Sequence, residues 1–397
     1  MGAALLSLKK AHIQSQATIK KQWARSFDTN THGLELVLIS TTVLLTTISL
    51  LFIYASSSTK GIHISGDPYL FLKKQLIITF FCWFFLLVAP VIHESFWEKI
   101  PLWFYLVMLL VMMGILIPGL YVEVGGAKRW LKIGGLRWQP VEFAKLAMIL
   151  MIAKNLARPG HRTKNFVLGI LPNFGFFLAY GLLLMLQPDF GTTVTMGAVC
   201  VMILALAGTP KKIIFGLLAT GTLAVSSLIL TAPYRWERIT AFLHPWEHVH
   251  HGGFQIIQSY LGFQNGSLLG QGLGESKQKL FFLPEAHTDF ILAVIAEELG
   301  FIGIAFILFC YFTLIYCAFR ITQKQTDSFW YYSCFGITMT ISIQTIFNMG
   351  VVMGMLPTKG IPLPLISTGA SSLLSYSAMI GFLLVANKRY PQKNSFV

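Results

Sequence analysis

Acidic residues are what this chain has least of. Asp and Glu number 16 in 397 residues against 30 Lys and Arg, and only 12% of the chain is charged. A soluble domain carries about 25% charged residues, so a water-exposed globular surface is excluded. Cysteine is scarce too: Cys82, Cys200, Cys310, Cys317 and Cys334 all fall inside apolar runs. That placement points away from a disulfide framework or a thiolate metal site and toward small buried hydrophobes. The alternating pattern of a barrel strand is also missing.

What is there is oil. Hydrophobic residues make up 55% of the chain and the mean hydropathy is +0.66. Apolar runs recur at 34–54, 70–92, 101–120, 140–156, 166–186, 190–207, 212–230, 289–319, 330–354 and 364–386. Lengths near the ~20 residues needed to cross a bilayer predict helices whose backbone groups are satisfied internally. The expected fold is an all-α polytopic membrane protein of ten transmembrane helices, spanning 34–386. Residues 1–33 and 387–397 read as cytoplasmic tails, because Lys9, Lys10, Lys20, Lys21 and Arg25 follow "AALLSL" where a signal peptide would carry its charge first.

An even helix number puts both ends on one side, and Lys and Arg are denser in the segments on that side, which makes it cytoplasmic. The loop "HESFWEKI" runs against the rule, with two Glu to one Lys. The net charge of +14 suits membrane lipid headgroups rather than nucleic acid. Two outer loops, 121–139 and 231–288, are longer than ordinary connections. The second carries Tyr234, Trp236, Trp246, Phe254, Tyr260 and Phe263 and is no low-complexity linker. Its "FQIIQSYLGF" has the spacing of an interfacial helix.

Under this topology the unusual polar residues converge on the outer face. Arg129, Lys132 and Arg137 belong to the first long loop, and Glu142 and Lys145 to the first turns of the fourth helix. Asp189 lies in the turn between the fifth and sixth helices, Glu285, His287 and Asp289 precede the eighth, and Lys359 sits between the ninth and tenth. Each has an ordinary explanation alone. Glu142 and Lys145 can pair at i,i+3, Lys145 can snorkel, Asp289 can cap a helix, and Asp189 and Lys359 are turn residues. Together they resemble a polar cavity, since ionisable groups at membrane depth are costly. The apolar part of the eighth segment can begin at Leu299, leaving Glu297 or Glu298 to line that cavity. Cations with a few acids suit an anionic amphiphile whose headgroup carries phosphates.

Other signals carry less. "HPWEHVHH", at 244–251, lacks metal-ligand spacing, and "GQGLG" is a turn rather than a nucleotide loop.

Five stretches carry a resemblance: "GAKRWLKIGGLRWQPVEFAKLA", "LQPDFGTT", "GFQIIQS", "GLGESKQKLFFLPEAHTDFILAVIAEELGFIG" and "GMLPTKGIPLPLISTGASSLL". In order, they resemble the signatures of the SEDS family (shape, elongation, division and sporulation), and "LPTKG" is more similar to its division branch than to its elongation branch. The resemblance implies ten helices with cytoplasmic termini and a glycosyltransferase that polymerises lipid II into peptidoglycan on the outer face of the bacterial cytoplasmic membrane, at the septum. It maps the family's essential aspartate to Asp289, its helix-4 pair to Glu142 and Lys145, and its loop arginine to Arg129. Where the family reads "SYGGSS", this chain has Ser367, Thr368, Gly369, Ala370, Ser371 and Ser372.

The chemistry implied is inverting transfer with Asp289 as general base. Arg129, Lys145, Lys132 and Arg137 would offset the pyrophosphate, a divalent cation (magnesium or manganese) would assist, and no organic cofactor is expected. Glu142 would hold Lys145, with Glu285 and His287 orienting their loop. Expected partners are lipid II, undecaprenyl-pyrophosphate-linked glycan, a class B penicillin-binding protein and other division proteins. The alternatives are a polymerase of the elongation or sporulation branch and, from another class, a lipid II flippase or transporter, which calls for polar residues in the cytoplasmic half of the helices, where few occur.

Overall fold

The structure, a computed structural model, describes residues 31–124, 127–133, 136–158, 165–249, 252–278, 283 and 288–393. Glu285 and His287 lie outside the described residues, as do most of the N-terminal tail and His250 and His251.

The chain begins with α1 (Thr31–Ser65), α2 (Leu70–Val88), α3 (Glu94–Lys99) and α4 (Pro101–Gly114). A small sheet follows: β1 (Tyr121–Val124), β2 (Ala127–Ile133) and β3 (Leu136–Trp138). Then come α5 (Val141–Leu156), α6 (Leu171–Leu186), α7 (Phe190–Leu206), α8 (Lys211–Leu230), α9 (Pro233–Leu243) and α10 (Gly253–Gly266). The last three are α11 (Ile291–Lys324), α12 (Ser328–Val352) and α13 (Ala370–Lys393).

Among the described residues seven helices are long and apolar enough to cross a membrane: α1, α2, α6, α8, α11, α12 and α13. The other three apolar runs form α4, α5 and α7, which are shorter. At 1.5 Å per residue the 16 residues of α5 reach only about 24 Å, short of a ~30 Å hydrocarbon layer. Helix α5 is buried along almost its whole surface, packed among α4, α6, α12 and α13. At the other extreme, α8 buries none of its residues and touches only α7 and α9 closely. Its apolar surface, like the exposed Phe80, Phe84, Leu87, Leu223 and Phe312, is what hydrocarbon would solvate. The five cysteines are buried and unbridged.

The 121–139 loop proves to be a three-stranded antiparallel sheet, ordered β1-β2-β3, with Lys132 opposite Arg137 and Leu131 opposite Trp138. The signal was present in the sequence: two Gly-Gly pairs, each between strand-forming runs, are hairpin punctuation. "FQIIQSYLGF" forms α10, which is no free interfacial helix. Ile256, Ile257, Ser259 and Gly262 are buried, α10 packs on α11, and the Ser259 hydroxyl donates to the Val352 carbonyl at 2.6 Å.

The acids of "HESFWEKI" have structural work at the end of the bundle opposite the loops. Arg389, near the end of α13, pairs with Glu94, approaches Glu98 at 3.5 Å and Asp327 at 3.7 Å, and stacks on Trp330. Trp330 Nε1 donates to Glu98 at 2.8 Å, and Asp327 caps α12 by accepting from the Phe329 and Trp330 amides. Two Glu in a supposedly basic loop thus tie α3 to α12 and α13.

Candidate active site

The site grows from the start of α7. Asp189 is its N-cap: the carboxylate accepts from the Thr192 amide at 3.2 Å and the Thr192 hydroxyl at 2.9 Å, satisfying first-turn donors the helix cannot use itself. The residue is almost fully buried. Arg129, on β2, brings its Nε to 3.7 Å from Asp189 and donates from Nη2 to the Pro188 carbonyl at 2.9 Å. Lys359 reaches across from the segment between α12 and α13 and donates to the Gly191 carbonyl at 2.6 Å, with its ammonium 5.3 Å from the Phe347 ring. Gly191 permits this approach, because a Cβ there would fall 1.9 Å from Lys359 Cε.

Two cations therefore flank one buried carboxylate. Burial pushes the Lys359 ammonium down to about 8; Asp189 opposes that shift and Arg129 adds to it. An anion arriving between Arg129 and Lys359 would relieve their mutual repulsion.

Asp289 stands next to this cluster. A Cβ on Gly360 would come within 3.0 Å of Asp289 Oδ2, so the carboxylate lies against the backbone of the residue that follows Lys359. The Asp289 carbonyl accepts from Asn348 Nδ2 at 2.9 Å. Helix α11 begins after Phe290, which occupies the N-cap position without a side-chain bond.

The segment after Gly360 dips into the bundle, and its groups find partners from helices on all sides. Ile361, Leu363, Leu365 and Ile366 are buried. The Ile361 carbonyl accepts from Asn348 at 2.7 Å, Pro362 from Gln344 at 3.3 Å, Pro364 from the Tyr311 hydroxyl and Ile366 from Ser49 at 2.6 Å. Ser367 donates to the Thr288 carbonyl, also at 2.6 Å. Irregular backbone at membrane depth is tolerable only with such partners. Sequence reasoning passed over Asn348, Gln344, Tyr311 and Ser49, whose visible signal is polar side chains inside apolar helices.

Glu142 and Lys145 lie deeper. They pair at 2.8 Å, both buried, and Lys145 also donates to Gln344 Oε1 at 2.9 Å and sits 5.4 Å from the Tyr376 ring. Lys145 therefore does not snorkel. Through Gln344 the pair reaches the Pro362 carbonyl, two residues past Gly360. A cavity of about 10 Å³, room for about one water, adjoins Lys145, Thr195 and Gln344.

Lys132 and Arg137 face each other on β2 and β3, both exposed. His244 and Glu247 approach at 3.9 Å on an exposed loop. Among the described residues no three His, Cys, Asp or Glu side chains gather as a metal site would require.

The fold and site define a polytopic helical membrane protein with a cluster of charged side chains around a buried carboxylate. The chain belongs to the FtsW, RodA and SpoVE family of cell cycle proteins, whose model matches residues 35–391. It is 39% identical over 355 residues to a probable peptidoglycan glycosyltransferase FtsW of Geobacter metallireducens, covering 89% of this chain and 95% of that one. It is 38% identical to the stage V sporulation protein E of Bacillus subtilis, covering 88% and 96%. A chain of a solved peptidoglycan synthase complex that coordinates polymerization and crosslinking superposes with a TM-score of 0.73 at 24% identity, covering 92% of this chain and 99% of that one. At that identity the likeness is one of fold.

Proposed function

We infer that this protein is a peptidoglycan glycosyltransferase that polymerises lipid II during septal wall synthesis, with Asp289 as the general base. Membership of the family along nearly the whole chain supports the activity. The observation that carries the site assignment is the seating of the Asp289 carboxylate against Gly360, beside Lys359, Asp189 and Arg129.

Joining an α-linked sugar pyrophosphate to a β-linked glycan inverts the anomeric carbon, and one displacement with one carboxylate base is enough. Asp289 accepts the proton of the acceptor's sugar 4-hydroxyl as that oxygen bonds to the donor's anomeric carbon. The bond from that carbon to the lipid pyrophosphate breaks, and the electron pair leaves with the phosphate. Arg129 and Lys359 offset the charge that develops there. Glu142 and Lys145 act one layer below, where Gln344 couples them to the segment that carries Lys359 and Gly360. Lys132 and Arg137, exposed on the sheet, meet the substrate's outer portions. A magnesium or manganese ion is assigned only to the substrate's own phosphates. The described residues offer no protein-built site for it, and no step above runs through it.

The active face is the outer one of the cytoplasmic membrane, and a class B penicillin-binding protein supplies crosslinking. The "LPTKG" segment and the FtsW relatives favour the division branch. The test is the purified protein in liposomes bearing lipid II, read for both glycan strands and translocation. Strands from the wild type and none from Asp289→Ala support the reading. Translocation without strands, equal in both proteins, overturns it in favour of a transporter.

A further inference from the structure

Helix α11 is broken, and the break is filled by another part of the chain. Gly300 has φ 65° and ψ −163°, so the stretch from Ile291 to Leu299 is one short helix and the stretch after Gly300 another. A break of this kind strands amides and carbonyls that a continuous helix would pair with each other. Here the 267–272 segment takes up both sets. The Phe301 and Ile302 amides donate to the Ser267 and Leu268 carbonyls at 2.9 and 3.3 Å. The Glu297 and Glu298 carbonyls accept from the Gln271 and Gly272 amides at 3.0 and 3.1 Å.

Such backbone contact needs glycine. A Cβ on Gly266 would fall 1.9 Å from the Ala296 carbonyl oxygen, and one on Gly270 would fall 2.1 Å from that of Glu298. The Glu297 carboxylate then fastens the segment. Fully buried, it accepts from Asn265 Nδ2 at 3.0 Å, from the Ser276 hydroxyl and from the Gln278 amide at 3.2 Å. Those donors come from the end of α10 and from the loop that follows it.

We propose that Glu297 is a positioning residue for catalysis: it locks the 265–278 segment into the break in α11 and so sets the direction of the short helix that presents Asp289 to Gly360. A rigid continuous helix would need no lock, and a break without one would leave that helix free to pivot at Gly300. This rests on the Asp289 reading, because the tip of the short helix matters only if Asp289 does. A misplacement of about 1 Å can cost about a hundredfold in rate.

The test uses the full-length protein in detergent with purified lipid II. Glu297→Ala removes all three bonds, and Asn265→Ala and Ser276→Ala remove one each. The expected result is a kcat for Glu297→Ala lower by about ten- to a hundredfold with KM for lipid II unchanged. The single-bond variants should lie between it and the wild type. Amide exchange should quicken in 291–299 and stay unchanged in the later part of α11, a readout that needs no activity. Glu297→Asp should recover part of the rate.

A folded Glu297→Ala protein with wild-type kcat overturns the proposal, as does a loss confined to KM. If Glu297→Ala fails to fold, wild-type kcat and exchange in both single-bond variants overturn it equally. Asp289→Asn run alongside keeps the two readings apart. A wild-type rate there removes the Asp289 reading, whereas a wild-type rate in Glu297→Ala alone removes only the lock.

Discussion

Adding one methyl group at Gly191 tests whether Lys359 must lie over the start of α7. The new Cβ would sit 1.9 Å from Lys359 Cε and 3.0 Å from Nζ, so the lysine has to leave and give up its 2.6 Å bond to the Gly191 carbonyl. Two stability effects oppose each other. Ala gains up to about 1 kcal/mol in helix propensity over Gly, while losing a hydrogen bond to a charged group costs about 1.5–3 kcal/mol, less where the freed ammonium reaches water. The net is a loss of about 1 kcal/mol, and the protein should fold.

The effect on rate is larger. At an effective dielectric of about 20, a unit charge about 5 Å from the departing phosphate contributes about 3 kcal/mol, or about a hundredfold. Glycan formation from lipid II by Gly191→Ala should therefore fall about as far as in Lys359→Ala. The double variant should be no worse than Lys359→Ala, since both changes remove the same group. A wild-type rate in Gly191→Ala, or losses that multiply in the double variant, would refute the reasoning.

Burial holds Lys359 near 8, so the rate should fall as pH rises through about 8, and Lys359→Arg, always protonated, should push that limb upward. Between pH 8 and about 10.4 the unfolded chain binds more protons at this lysine than the folded one. Lys359 therefore costs stability below pH 8 and less as pH climbs, a rise that Lys359→Met should flatten in thermal unfolding. Glu142→Ala strands the buried Lys145 beside Gln344 and should cost about 3–5 kcal/mol, whereas replacing both members by Met and Leu should restore most of it. Arg389→Ala removes the cation shared by Glu94, Glu98 and Asp327. These acids are about one-third exposed or more, so the loss should be about 1–2 kcal/mol and should shrink in high salt.

Hydropathy made the helices legible, because length and apolarity alone decide which segments reach across a bilayer. That α5 would be enclosed by protein and α8 left bare had a trace in composition: α5 carries Glu142, Lys145 and Asn155 inside its run, where α8 holds only apolar and small residues after its first turn. Arg129, Asp189 and Lys359 were visible as charges near helix ends. Their convergence was not, because it depends on Gly191 letting a lysine from another loop pass over it. The apolar part of the eighth segment was expected to begin at Leu299, and the helix breaks at Gly300. Of Glu297 and Glu298, either of which could line a cavity by sequence, Glu297 binds the 265–278 segment, a role that no spacing along its own helix reveals. Asn348 and Gln344 escaped notice as uncharged amides in apolar helices, yet they hold the backbone that carries Lys359.

The central claim is that Asp289 takes the acceptor's proton. Asp289→Asn keeps the shape of the side chain and removes its basicity, and the measurement is the initial rate of glycan formation from purified lipid II by that variant, with folding checked by thermal unfolding. The account predicts a rate lower by about a hundredfold or more in a protein that unfolds at the wild-type temperature. A folded Asp289→Asn protein polymerising at the wild-type rate would contradict it.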